Sequence, residues 1–187
     1  MNKVIIFSAP SGAGKSTVVR HLLEKFPQLE FSISATSRQP RGIELHEIDY
    51  HFLTVDEFKQ KIAGNEFVEW EEVYAGNYYG TLKSEVKRIW AKGNVILFDV
   101  DVKGGINIKE IYGDTALSVF IMPPSIDILR KRLQERGTDL PEAIERRVHK
   151  AEEEITYVSR FDVILLNDKL EDTLHNAEKI VSDFIDM

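Results

Sequence analysis

Val4 to Phe7, Val95 to Phe98, Leu117 to Met122 and Val163 to Leu166 are near-continuous apolar runs of strand length. Runs without polar alternation suit strands buried on both faces of a parallel sheet. The segments between them change period. Ser16 to Phe26 places Val18, Val19, Leu22, Leu23 and Phe26 on one helical face, and Pro27 stops it. The last segment repeats that pattern with Leu174, Ala177, Ile180, Val181 and Phe184. Strands alternating with helices predict an α/β fold on a parallel sheet.

Two stretches break the rhythm. Residues 33–83 are rich in turn residues and aromatics, with one short helix starting at Thr54, where Glu57 completes a capping box. Residues 125–158 read as helices throughout. Asp139 with Glu142 marks a helix start and Pro141 lies in its first turn, followed by the stripe Ile144, Val148, Ala151, Ile155 and Val158. Both stretches are expected as insertions on a three-layer core of residues 1–32, 84–123 and 159–187. The insertions then span 33–83 and 124–158.

Composition narrows the class without naming it. The chain has 187 residues, 43% apolar and 29% charged, as in an ordinary soluble domain. A net charge of −7 argues against a dedicated nucleic-acid binder. Arg130, Lys131, Arg132, Arg136, Arg146, Arg147 and Lys150 nevertheless crowd together and leave room for a local anion site. There is no cysteine, hence no disulfide and no thiolate metal site. The start of the chain is too short for a signal peptide, and no apolar run approaches a membrane span. These features lead us to expect a cytoplasmic protein. His21, His46, His51, His149 and His175 show no metal-ligand spacing.

The strongest motif is Ala9-Pro10-Ser11-Gly12-Ala13-Gly14-Lys15-Ser16, followed by Thr17. It joins a buried strand to a helix, the context that a phosphate-binding P-loop requires. Gly12 and Gly14 let the backbone bring its N–H groups up to phosphate oxygens. The helix adds its positive end. Lys15 is placed to reach the β- and γ-phosphates and Ser16 to bind Mg²⁺. Ala9 stands where the general consensus has glycine. The motif alone specifies a nucleoside triphosphate and nothing further.

Ser34-Ala35-Thr36-Ser37-Arg38-Gln39-Pro40-Arg41-Gly42-Ile43-Glu44, then Asp49-Tyr50-His51-Phe52, closely resembles the monophosphate-binding segment of the guanylate kinases. Further matches follow in order: Glu69-Trp70, Gly76-Asn77-Tyr78-Tyr79-Gly80-Thr81, Asp99-Val100-Asp101 with Gly104, Arg132 to Gly137, Arg147, and Asn167-Asp168. The resemblance spans essentially the whole chain. It implies an ATP:GMP phosphotransferase, with dGMP as an alternative acceptor, and Mg²⁺ as the accompanying ion. On that reading 33–83 is the GMP-binding region and 124–158 a lid. It further implies that Asp101 contacts the guanine amine and that Glu44 orders its segment. By the same resemblance Arg136 and Arg147 are expected to engage the transferring phosphate, and Arg132 to lie by the adenine.

Residue chemistry agrees with that implication. A monophosphate dianion suits the guanidinium forks of Arg38 and Arg41 and the hydroxyls of Tyr50 and Tyr79. Guanine presents N1–H and an amine together, a double donor for the Glu69 carboxylate, while its O6 accepts from Ser34 and Thr81. Adenine places an acceptor against that carboxylate, a mismatch that discriminates by roughly 10⁴-fold. Each position also has a plainer reading. Tyr50 and Tyr79 suit a core, Thr81 suits the cap of a helix over 82–92, and Asn167 suits a turn as well as an adenine contact. Asp99 suits either Mg²⁺ through water or a structural carboxylate. Two rival functions stand beside the kinase: a protein-binding module of the same fold, and a kinase acting on a phosphorylated sugar. Lys15, Ser16, Arg136 and Arg147 speak against the first. Ser34, Glu69, Thr81 and Asp101 speak against the second. Oligomeric state is not legible.

Overall fold

Val4–Ser8, the first apolar run, is strand β1 at the centre of a five-stranded parallel sheet, and all five of its residues are buried. The structure is a computed structural model describing residues 2–135, 137 and 140–187. After β1 come α1 (Lys15–Lys25), β2 (Leu29–Phe31), β3 (Ala35–Thr36), β4 (His51–Phe52), α2 (Val55–Ala63), β5 (Phe67–Tyr74) and β6 (Asn77–Leu82). Then follow α3 (Lys83–Ala91), β7 (Val95–Asp99), α4 (Val102–Tyr112), β8 (Ala116–Met122), α5 (Ile126–Glu135), α6 (Pro141–Ile155), β9 (Val163–Leu166) and α7 (Leu170–Asp186). The sheet runs β2-β7-β1-β8-β9.

Alternation along β1 explains the three layers. Ile5 and Phe7 face one side and pack with Val18 and Leu22 of α1, Leu129 and Leu133 of α5, Val148 of α6 and Val181 of α7. Val4 and Ile6 face the other and pack with Val86 and Ile89 of α3 and Ile108 of α4. Successive side chains point to opposite faces, so a strand apolar throughout needs helices on both. Each such side chain contributes roughly 1.5–3 kcal/mol on burial. The helices expected as a lid thus bury Leu129, Leu133, Ile144, Val148 and Ala151 in the same apolar cluster as β1.

Residues 33–83 carry a second sheet, of order β4-β3-β6-β5, that the hydrophobic pattern did not announce. β5 and β6 form an antiparallel hairpin that turns at Gly76, whose φ is 76°. Phe58 of α2 stacks on Phe67 at 4.4 Å between ring centroids and gives this sheet a core of its own. α2 begins as read, with Thr54 and Glu57 in a reciprocal capping box. α6 begins at Pro141 with Leu140 as its N-cap. Asp139, read as marking that start, lies outside the described residues.

Candidate active site

The loop between β1 and α1 is shaped by two glycines at φ 94°, a conformation that side-chain-bearing residues rarely adopt. Space adds to the requirement. A Cβ on Gly12 meets Leu133 Cδ2 of α5 at 2.8 Å, and one on Gly14 meets Asn167 Nδ2 at 2.3 Å. Asn167 is buried and donates from Nδ2 to the Ala13 carbonyl at 2.6 Å. Its amide group, expected beside adenine, therefore braces the loop. Arg132 donates to the Asn167 carbonyl at 2.9 Å. Gly14 caps α1 without a side-chain hydrogen bond, and N-terminal helix amides of this kind receive anions. Lys15 forms an ion pair with Asp99 and donates to the Val100 carbonyl at 3.0 Å. Arg147, from α6, donates to Ser11 Oγ at 3.0 Å. Arg136, expected beside it, lies outside the described residues.

Opposite the loop stands a carboxylate pocket built by the second sheet. Glu69 and Thr81 are register partners on β5 and β6, and Thr81 Oγ1 donates to Glu69 Oε1 at 2.9 Å. Thr81 does not cap the next helix, since Leu82 holds that position. Burial lifts the Glu69 carboxyl to about 7; the Thr81 hydroxyl works against this, and the charge of Asp101 adds to it. Asp101 caps α4, its Oδ1 accepting from Gly104 N at 2.9 Å. Ser34 lines the same wall, and its carbonyl accepts from His51 N.

The arginine segment forms the third side. Arg38 grips Glu44 with both nitrogens, at 2.6 and 2.8 Å, and donates from Nε to the Tyr79 hydroxyl at 3.1 Å. The guanidinium lies 4.8 Å from the centre of the Tyr50 ring, a cation–π contact. The Glu44 pairing raises Arg38 further above its already high range, and it lowers Glu44. Burial raises the Tyr50 phenol. Arg41 is exposed, with its backbone N–H on Glu44.

One cavity of about 580 Å³ joins these parts. Its walls include Ala9, Pro10, Ser11, Gly12, Gly14, Lys15, Ser16 and Thr17 on one side, and Ser34, Tyr50, Glu69 and Tyr79 on the other. Asp99, Asp101 and Arg132 lie between. Ala13, Arg38, Thr81 and Asn167 stand behind this surface and hold it.

The sequence reading missed several contributors. Glu85 of α3 is buried and accepts from Ile33 N at 3.0 Å, which fixes the entry to the Ser34 strand. Burial pushes its carboxyl up, but Arg88, His51 and the Ile33 amide together hold it at about 2. The i,i+3 spacing of Glu85 and Arg88 was the available signal. Lys150 and Glu154 also line the cavity. The histidines are less scattered than they read: His46, Glu47 and His51 place one ligand atom each within 4.8 Å of one another. His46 Nδ1, however, accepts from Phe52 N at 3.1 Å, so its Nε2 carries the proton. That ring has no lone pair for a cation in this arrangement.

A Gly-rich strand-to-helix loop at the C-terminal edge of a parallel sheet, facing a carboxylate pocket across one cavity, defines a P-loop nucleotide kinase. The chain belongs to the guanylate kinase family, whose family model matches residues 1–184. It is 56% identical over 183 residues to a guanylate kinase of Bacteroides fragilis, covering 98% of this chain and 90% of that one. A guanylate kinase of Porphyromonas gingivalis is 54% identical over 186 residues, 99% of each chain. The crystal structure of guanylate kinase from Anaplasma phagocytophilum superposes with a TM-score of 0.79 at 29% identity, covering 97% of this chain and 85% of that one.

Proposed function

We propose that this chain transfers the γ-phosphoryl group of ATP to GMP, giving ADP and GDP. The observation that carries the reading is the Glu69–Thr81 pair in the same cavity as the Lys15 loop. A carboxylate beside a hydroxyl matches the N1–H, amine and O6 edge of guanine, with Ser34 and Asp101 on the flanks. A phosphate oxygen of GMP bonds to the γ-phosphorus while that phosphorus parts from the β–γ bridging oxygen. The electron pair leaves on ADP. No side-chain nucleophile enters, so the chain acts by positioning and by neutralising charge.

Backbone amides from Ala9 to Thr17 cradle the triphosphate, with Lys15 at its β and γ groups. Arg132 lies by the adenine, and Asn167 serves ATP by holding the loop. Arg38, Arg41, Tyr50 and Tyr79 take the GMP phosphate, with Glu44 ordering Arg38. Arg147 and Arg136 meet the phosphate as it transfers. Ser16 and Asp99, both on the cavity wall, offer the hard oxygen donors that Mg²⁺ takes. When bound with ATP, that ion supplies neutralisation of phosphate charge. Closure of 33–83 and 124–158 over both substrates keeps water from competing as acceptor. dGMP serves as a second acceptor, and the cytoplasm is the setting, in purine nucleotide metabolism. Among the described residues no helix is long and apolar enough to cross a membrane.

The test is stoichiometry. With ATP, Mg²⁺ and GMP, ADP and GDP appear in equal amounts, and omitting GMP abolishes ADP formation. ADP formed without GDP overturns the reading.

A further inference from the structure

α6 turns Arg147, Lys150 and Glu154 toward the cavity at helical spacing. Arg147 reaches the phosphate loop. Lys150 and Glu154 line the main cavity and a smaller adjoining one of about 240 Å³. Other carboxylates around the smaller cavity have partners. Glu71 accepts from Asn107 Nδ2 at 3.1 Å, Glu72 accepts from Gly76 N at 2.7 Å, and Glu153 faces Lys103 at 3.9 Å.

Glu154 differs. Its side chain is 13% exposed and lines the main cavity as well, which Glu71, Glu72 and Glu153 do not. Lys150 Nζ stands 3.7 Å away and forms an ion pair with it. Burial raises this carboxyl to about 7, with Asp101 adding to the effect and Lys150 and Lys15 opposing it. A carboxylate has about four lone-pair sites, so one ion pair leaves it free to accept from a ligand in the cavity. The neighbouring charges also give its place. Asp101 belongs to the base end of the acceptor pocket and Lys15 to the phosphate end, and Glu154 lines the cavity together with both. Between the base and the phosphate of a nucleotide lies its sugar, and the sugar hydroxyls are hydrogen-bond donors.

We infer that Glu154 is the sugar-recognising residue of the acceptor site, accepting a hydrogen bond from a ribose hydroxyl of the bound monophosphate. The inference rests on the GMP reading above. Lys150, set between Glu154 and the Tyr74 ring at 5.2 Å, positions the carboxylate. It also ties α6 to the second sheet.

The experiment compares GMP, 2′-deoxy-GMP and 3′-deoxy-GMP at saturating ATP, in the parent and in Glu154→Ala, with unfolding curves for both. The parent favours GMP over at least one deoxy analogue by about tenfold in kcat/KM, the worth of one hydrogen bond to a charged group. In Glu154→Ala that preference collapses to within about twofold, and the loss falls on the KM for GMP. Glu154→Gln keeps an acceptor oxygen and holds an intermediate preference; it carries the test if the alanine variant does not fold. Equal use of all three nucleotides by the parent overturns the inference. So does an equal loss on all three in the variant. Neither result touches the guanine reading, which fails instead if the parent uses AMP as well as GMP.

Discussion

Glu69→Gln is the substitution that separates the parts of this account most sharply. The parent carboxyl is raised from an ordinary 4.5 to about 7 by burial, against the Thr81 hydroxyl and with help from Asp101 and Glu71. It must be ionised to receive two guanine donors. Below pH 7 the protein therefore loses a proton on binding GMP, and its affinity falls. Between pH 8 and pH 6 the ionised fraction drops from about 0.9 to about 0.1, so the apparent affinity falls about tenfold. The second ionisation of a phosphate monoester, near pH 6, adds a lower step. Glu69→Gln removes the upper step and leaves the lower one.

Stability moves the opposite way. A folded value above the unfolded one contributes stability that is complete below about pH 4.5 and lost as pH rises through about 7. The displacement corresponds to about 3 kcal/mol, and the carboxyl is only 9% exposed, so screening takes little of it. Glu69→Gln is thus expected to be the more stable protein at pH 8, by as much as about 3 kcal/mol, with the gap closing toward pH 5. Urea unfolding without nucleotide measures the gap. Calorimetric GMP titration in buffers of different ionisation enthalpy counts the protons. A variant with unchanged GMP affinity and the parent's pH profile would falsify the assignment of Glu69.

Lys15→Ala is expected to lower kcat by about 10³-fold or more, with folding nearly intact because the Lys15–Asp99 pair is partly solvated; steady-state assay with parallel thermal unfolding checks both. Arg147→Ala is expected to lower kcat by about 10³-fold while calorimetric GMP affinity stays near the parent value, whereas Arg41→Ala raises the KM for GMP. An Arg147→Ala protein that lost GMP binding and kept its kcat refutes that division. Lys3→Met removes two bonds, each 2.8 Å, to the carbonyls of Phe184 and Ile185 near the C-terminal end of α7. The loss is expected to cost about 2 kcal/mol, lowering Tm by about 4–8 °C without changing the KM for either substrate.

The parallel core was legible because β1, β7 and β8 are largely buried strands, and such strands write themselves as apolar runs; β9, read as buried on both faces, lies at the sheet edge with Ile164 and Leu166 exposed. β2 was not legible, because Leu29–Phe31 is three residues at an edge. The second sheet escaped for a related reason. β3 and β4 have two residues each, and the β5–β6 pairing shifts register between Phe67 and Glu69 and between Glu72 and Tyr74. A strand that short or that irregular leaves no period to read. At the site, the loop glycines were legible as formers of a tight turn, and both stand at φ 94°. Their second constraint was not, since the contacts of Gly12 with Leu133 and of Gly14 with Asn167 join residues far apart in the chain. The same distance hid Glu85 behind Ile33. Glu154 was within reach of the sequence, seven residues beyond Arg147 on one helical face, but its place on the cavity wall is a property of the packed structure.

The central claim is that one cavity joins a triphosphate loop to a guanine pocket. It is tested most directly by offering ATP with GMP, dGMP, AMP, UMP and ribose bisphosphates in turn and measuring kcat/KM for each. The account requires GMP to exceed AMP and UMP by about 10⁴-fold, with dGMP used and the sugar bisphosphates inert. Comparable values for AMP and GMP, or turnover of a sugar bisphosphate, contradict it.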